Sequence, residues 1–158
     1  MPKYVDSNLG PGEQVLYRAD IHWAIFLPGA TFTALATMAL AAAMSSSSHE
    51  GRTLLGLAIV VVLFVGIIHA LAQHIARVTT EMAVTNKRVI TKKGLISRRT
   101  VEMNIGKVEN IAVDQGLIGR LMNFGTVTVV GTGGTREPFN WVLAPLEFRR
   151  AVHANSPH

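Results

Sequence analysis

The chain has no cysteine. That absence excludes a disulfide framework, a thiolate metal site and a cysteine nucleophile, and it fits a reducing compartment. Charge is also scarce. Asp, Glu, Lys and Arg make up 16% of the residues, where soluble chains usually carry about 25%. Aromatic residues are 6%. What fills the chain instead is aliphatic: 49% of its 158 residues are hydrophobic, and the mean hydropathy is +0.32. The formal net charge is nevertheless +5. One soluble domain does not reconcile these values, and the length allows one modest domain at most. They fit if some stretches sit in lipid and others carry the charge.

Two apolar runs provide the lipid-seeking part. The first extends from Trp23 to Met44 without a charged residue; its roughly 22 residues make a helix of about 33 Å. The second extends from Thr53 to Ala76. A hydrocarbon core about 30 Å thick is spanned by either. The polar stretch from Ser45 to Arg52 between them predicts a helical hairpin. A cleaved signal peptide is the competing reading of the first run, and two features disfavour it. It is longer than an h-region of about 7–15 residues, and Asp6, Glu13 and Asp20 precede it where positive charge belongs. Pro28, near the start of the first span, removes a backbone donor and is expected to bend it.

The basic residues set the orientation. Arg52 stands alone in the turn, whereas twelve of the fifteen Lys and Arg follow the second span, from Arg77 to Arg150. Only six acidic residues accompany them. The positive-inside rule places the C-terminal part, and with two spans both termini, in the cytoplasm.

Small residues recur every four positions along the spans: Gly29, Thr33, Thr37 and Ala41 on the first, Gly66 and Ala70 on the second. Such faces let helices approach closely, either within the hairpin or against another subunit. His69, Gln73 and His74 are polar, but they lie near the cytoplasmic end. His69 and His74 are on different helix faces, so interfacial hydrogen bonding explains them better than a metal or haem.

After Val78 the pattern changes to short strands. Met82 and Val84, then Val89 and Ile90, precede a turn at Lys92-Lys93-Gly94. Val101, Met103 and Ile105 alternate with polar residues, as do Ile111 and Val113. Leu117 to Phe124 reads as a short helical or turn-like insert, and Thr126 to Val130 as a β-branched strand. Gly131-Thr132-Gly133-Gly134 turns the chain and Phe139 to Leu143 returns it. Pro145 opens a C-terminal helix. The expected organisation is an N-terminal segment (1–22), a hairpin (23–76, with spans 23–44 and 53–76), a strand-rich domain (77–154) and a tail (155–158).

Specific stretches carry a resemblance. Thr85-Asn86-Lys87-Arg88-Val89-Ile90 with Lys93-Gly94-Leu95-Ile96 resembles the opening strand pair of the bacterial pleckstrin-homology (PH) domain family. Lys107 to Gly116 resembles its middle strand, and Leu117 to Val127 its most recognisable stretch. Leu9-Gly10-Pro11-Gly12-Glu13 and His22-Trp23, followed by two spans, are similar to short membrane members with two transmembrane helices. Asn104-Ile105-Gly106 departs from the family, whose members often have proline before the middle strand. The resemblance implies an α+β membrane protein: a transmembrane hairpin, then a PH-like split β-barrel capped by a C-terminal helix. It implies neither a settled activity nor phosphoinositide binding.

Candidate contact residues follow. Lys87, Arg88, Lys92, Lys93, Arg98 and Arg99 surround the first hairpin. They are expected either to meet anionic headgroups or an acidic partner, or only to fix topology; strand alternation prevents all six from sharing one face. Leu121, Met122 and Phe124 are expected either to be core or, with Arg120, to form a contact patch for another copy or for the membrane interface. No nucleic-acid interface is expected, because the cluster lacks interleaved aromatics. The glycines near Thr132 lack the ending of a phosphate loop. No acidic residue pairs with a nucleophile at a catalytic spacing, so neither catalysis, a cofactor nor a small-molecule substrate is expected. The expected function is that of a non-enzymatic scaffold at the bacterial inner membrane, engaging a membrane-protein partner or anionic lipid. The alternative is an accessory subunit or homo-oligomer assembled through the helices.

Overall fold

The structure, a computed structural model, describes residues 4–45, 47–94 and 97–155. Ser46 of the expected turn, Leu95 and Ile96 of the opening strand pair, and residues 1–3 and 156–158 of the expected terminal segments lie outside the described residues. In chain order the elements are α1 (Tyr4–Ser7), β1 (Val15–Ala19), α2 (Leu27–Met44), α3 (His49–Thr79), β2 (Glu81–Thr85), β3 (Arg88–Lys93), β4 (Arg99–Asn104), β5 (Val108–Asp114), α4 (Leu117–Leu121), β6 (Phe124–Gly131), β7 (Arg136–Leu143) and α5 (Pro145–His153). The chain is α+β and divides into two units. One joins residues up to Trp23 with those from Ala76 onward; the other is Ala24–Ile75.

The first unit holds two antiparallel sheets, ordered β1-β2-β3-β4 and β5-β6-β7. Residues Ala19, Met82, Val84 and Val89 of the first sheet face Ile111, Val127, Val129, Phe139 and Val142 of the second. Phe148 and Val152 of α5 close the core and are 0% and 1% exposed. Each such large side chain contributes about 1.5–3 kcal/mol by leaving water. The other face of the first sheet is covered too. Ala83 and Ile90 pack against Val5, with Tyr4, Leu9 and Val15 around them. The residues before the hairpin therefore supply both an edge strand and a lid.

This corrects the expected domain boundary. The strand-rich unit does not begin at residue 77, because β1 pairs with β2 in the register Arg18↔Ala83 and Ala19↔Met82. Without β1 and α1, the apolar residues Ala83 and Ile90 and the edge of β2 would face solvent. The expected split barrel is corrected as well. The sheets are open, and among the described residues no strand of one sheet is hydrogen-bonded along a strand of the other. They meet at a corner, where Ile21 bridges Val142, His22 N donates to Trp141 O at 2.6 Å and Leu143 N donates to Asp20 O at 2.8 Å. Asn104-Ile105-Gly106 leads into a 3-10 turn that buries Ile105. The turn after β3 falls at Gly94, with φ +90°. A Cβ there would lie 2.1 Å from Ser97 O. Lys92 and Lys93 are thus strand residues, not the hairpin tip.

The second unit is helical. Trp23–Met44 and His49–Thr79, of 22 and 31 residues, are long and apolar enough to cross a membrane. α2 has no buried residue. Its hydroxyls satisfy themselves: Thr33 and Thr37 Oγ1 each donate at 2.8 Å to the carbonyl four residues back, as an apolar surrounding requires. Pro28 occupies the first turn of α2, a position where the missing N–H of proline is well tolerated.

Candidate functional site

The basic cluster is woven into the fold. β3 runs between β2 and β4, so its side chains alternate between the two covered faces. Arg88 emerges beside the loop of Glu13, donating from Nε and Nη2 to the two carboxylate oxygens at 2.9 and 2.8 Å. Its other nitrogen reaches Glu102 at 2.6 Å. The Glu13 side chain is 2% exposed and also accepts from Gly10 N and Thr85 Oγ1 at 2.8 and 2.7 Å. The Arg88 guanidinium, more than any other group, holds Glu13 down at about 2 despite burial. Lys92 pairs with Glu81 at 3.5 Å. On the opposite face, Lys93 donates to Pro138 O at 2.7 Å and lies 3.9 Å above the Phe139 ring; burial pushes its ammonium down.

The remaining cations are more exposed. Lys87 donates to Pro11 O at 2.7 Å, and Arg99 pairs with Glu137 at 2.7 Å while 72% exposed. Arg98 is exposed. The six residues therefore do not form one face, and the two sides of the sheet divide them.

The small-residue stripes meet each other. A Cβ on Gly29 would lie 2.3 Å from His69, and one on Gly66 would lie 2.8 Å from Thr33. Thr37, Ala41 and Ala70 line the same crevice within the hairpin. His69 is 3.4 Å from Gln73 through its Nε2, and no group of residues able to hold a metal occurs among the described residues.

The expected contact patch splits in two. Arg120 and Leu121 project from α4, with Leu121 87% exposed, and Leu117 and Ile118 beside them are 87% and 64% exposed. Phe124 is instead the centre of a column of rings. It stacks on His22 at 5.0 Å and meets Trp141 at a tilt, 5.2 Å between centroids, and His22 in turn contacts Trp23 at 5.4 Å. Burial, with Arg77 nearby, pushes the His22 imidazole below its ordinary value. Met122 is half-buried.

A groove of about 610 Å³ opens beside this column, where the chain leaves the unit at Trp23 and re-enters near Arg77. The two crossing points are tied together, as Arg77 Nε donates to Ile21 O at 2.9 Å. Arg18, Asp20, Arg77 and Glu81 line the groove with apolar residues such as Met82 and Leu143. Reading by motif missed these residues. Their signal was position: Asp20 and Arg77 are the charges nearest the outer ends of the apolar runs.

No curated protein and no solved structure matches the chain. The sequence model of the bacterial PH domain family matches residues 25–154. That stretch includes both apolar helices and all strands except β1, which the resemblance in the strand region did not reach. The order of motifs, the two antiparallel sheets closed by a C-terminal helix and this match lead to one assignment: the chain belongs to the bacterial PH domain family.

Proposed function

We propose that the chain is a non-enzymatic binding protein of the bacterial inner membrane. Its helical hairpin spans the bilayer, with both termini cytoplasmic, and its PH-like unit is held against the inner face to engage a membrane-protein partner or lipid. The observation that carries this reading is the insertion of the apolar hairpin between two paired strands, β1 and β2. Two chain connections, bound to each other through Ile21 and Arg77, restrict the unit far more than one flexible tether would. Confinement to a thin layer raises effective concentration, so weak contacts suffice for occupancy.

The basic cluster contributes less to recognition than its sequence implies. Arg88, Lys92 and Lys93 have partners within the fold, which favours fold and topology as their role. The small-residue faces front the hairpin's own crevice, which leaves assembly through those faces without support. The test is purification in mild detergent with protein and lipid mass spectrometry. One stoichiometric partner or an enriched lipid is expected, retained by wild type and lost when the hairpin is exchanged for an unrelated one. A chain that purifies alone with bulk lipid would refute the binding role.

A further inference from the structure

The groove beside Trp23 has an unusual charge inventory. Of its four charged residues, two are committed. Arg18 pairs with Asp6. Glu81 accepts from Tyr4 N and Val5 N at 3.1 and 3.3 Å and pairs with Lys92. Arg77 uses Nε for Ile21 O, and its two terminal nitrogens have no hydrogen-bond partner among the described residues. The Asp20 carboxylate accepts no hydrogen bond from them either, and it forms no ion pair with Arg77. One groove therefore presents a guanidinium edge and a carboxylate that do not neutralise each other.

Position narrows the ligand. On the reading that the apolar helices span a bilayer, the groove lies where the chain enters and leaves it. Trp23 opens the first run, while Arg77 and Val78 follow the second. The headgroup layer is only about 5–7 Å deep on each side, and covalent continuity holds these residues in or beside it. A simple anion there would suit Arg77 but meet Asp20; a simple cation would do the reverse. A ligand carrying a phosphate and an ammonium suits both. Arg forks match phosphate oxygens in two-point contact, and a primary ammonium donates to a carboxylate where a quaternary one has no N–H to give. The volume falls within the ordinary range for a small-ligand site. We propose that this groove binds the headgroup of a zwitterionic aminophospholipid, with its phosphate on Arg77 and its ammonium on Asp20.

The test is native mass spectrometry of the full chain from nanodiscs holding equal amounts of phosphatidylethanolamine, phosphatidylcholine and phosphatidylglycerol. Wild type is expected to retain phosphatidylethanolamine about tenfold or more over the other two, the discrimination expected of one charge-assisted hydrogen bond. Asp20→Asn changes an exposed side chain with no hydrogen-bond or ion-pair partner among the described residues, so it should fold normally and lose that preference. Arg77→Gln should weaken retention of all three lipids. Equal retention by wild type, or a preference unchanged in Asp20→Asn, overturns the proposal. Displacement by an equal concentration of soluble glycerophosphoethanolamine also overturns it, since a free phosphoester would then be the ligand. A chain that does not insert into nanodiscs at all overturns both this site and the membrane reading; one that inserts without lipid preference overturns the site alone.

Discussion

The two units use the same aliphatic residues to opposite ends. In the sheet-bearing unit Val84, Ile90, Val127 and Val142 are fully buried by protein. In the helical unit Leu35, Val60, Phe64 and Ile67 are each about 60% exposed to whatever surrounds the helices. A soluble core helix would be covered on its apolar side; these helices are apolar all round and almost uncovered. The difference teaches that one unit carries its own interior while the apolar surface of the other is left uncovered by the described residues. It also shows that the chain is not two beads in series, because the sheet-bearing unit is completed by residues on both sides of the other.

The severest way to break this comparison is to remove one unit. Replacing 24–75 with a short Gly/Ser linker should leave a water-soluble chain with folded sheets, since Ile21 and Arg77 are within hydrogen-bond distance. Circular dichroism and sedimentation would check this. Truncation of everything before Val78 should instead abolish the cooperative transition or aggregate. It removes β1 and the Val5 lid, exposing Ala83 and Ile90 and an unpaired edge. If the truncated chain folds as well as the linked one, β1 is dispensable and the units are consecutive after all.

Next in size is the Glu13–Arg88 clamp, which fastens the segment before the hairpin to the strands after it. The Glu13 carboxyl sits at about 2 against an ordinary 4.5. Because its folded value is the lower one, its contribution is complete above about pH 4.5 and is lost as the pH falls towards 2. The shift corresponds to about 3 kcal/mol, the same order as breaking a buried ion pair. Glu13→Gln should therefore unfold at lower denaturant at pH 7, and its stability should converge on that of wild type towards pH 2. Parallel profiles would mean that the pair is not what lowers the carboxyl.

Much of this was legible beforehand. The two long apolar helices, the strands from Met82 onward, the Gly131–Gly134 turn and the helix opened by Pro145 all follow from period, length and turn chemistry. What escaped was non-local. Val15-Leu16-Tyr17-Arg18-Ala19 is a weak five-residue strand whose partner lies beyond both apolar runs, and no local pattern reports a pairing at that range. Met82-Ala83-Val84 gave a related difficulty. Its run is continuous because both faces of the sheet are covered, and the second cover comes from Val5. The basic cluster was easy to see and hard to interpret, because Glu13, Glu81 and Pro138 are distant in sequence. The groove shows no motif at all; it exists only because residues 18–23 and 77–82 converge.

Within the helical unit the same logic applies on a smaller scale. Gly29 and Gly66 adjoin His69 and Thr33, whereas Gly56 has nothing within 4 Å of a built Cβ. Gly29→Leu or Gly66→Leu should weaken helix pairing by about 1–3 kcal/mol, as overpacking generally does, while Gly56→Leu should be tolerated. With no native cysteine, cysteines introduced at Thr37 and Leu63, which line the same crevice, give the readout. Their cross-linking should slow in the first two backgrounds and not in the third. Equal slowing in all three would mean that the stripe is not a packing face.

The smallest expected effect lies where the comparison is least clean. Leu117, Ile118 and Leu121 of α4 belong to the sheet-bearing unit yet are as uncovered as the hairpin. If α4 is a solvated knob on a self-sufficient fold, Leu121→Asp in the linker-replaced chain should move the unfolding free energy by less than about 0.5 kcal/mol, as exposed substitutions do. A loss above about 1 kcal/mol at low protein concentration would mean that Leu121 packs within the unit. A loss that appears only as concentration rises would mean that a second copy covers it. Either result would draw the line between self-covered and externally covered apolar surface through the sheet-bearing unit itself, not at Trp23 and Ala76.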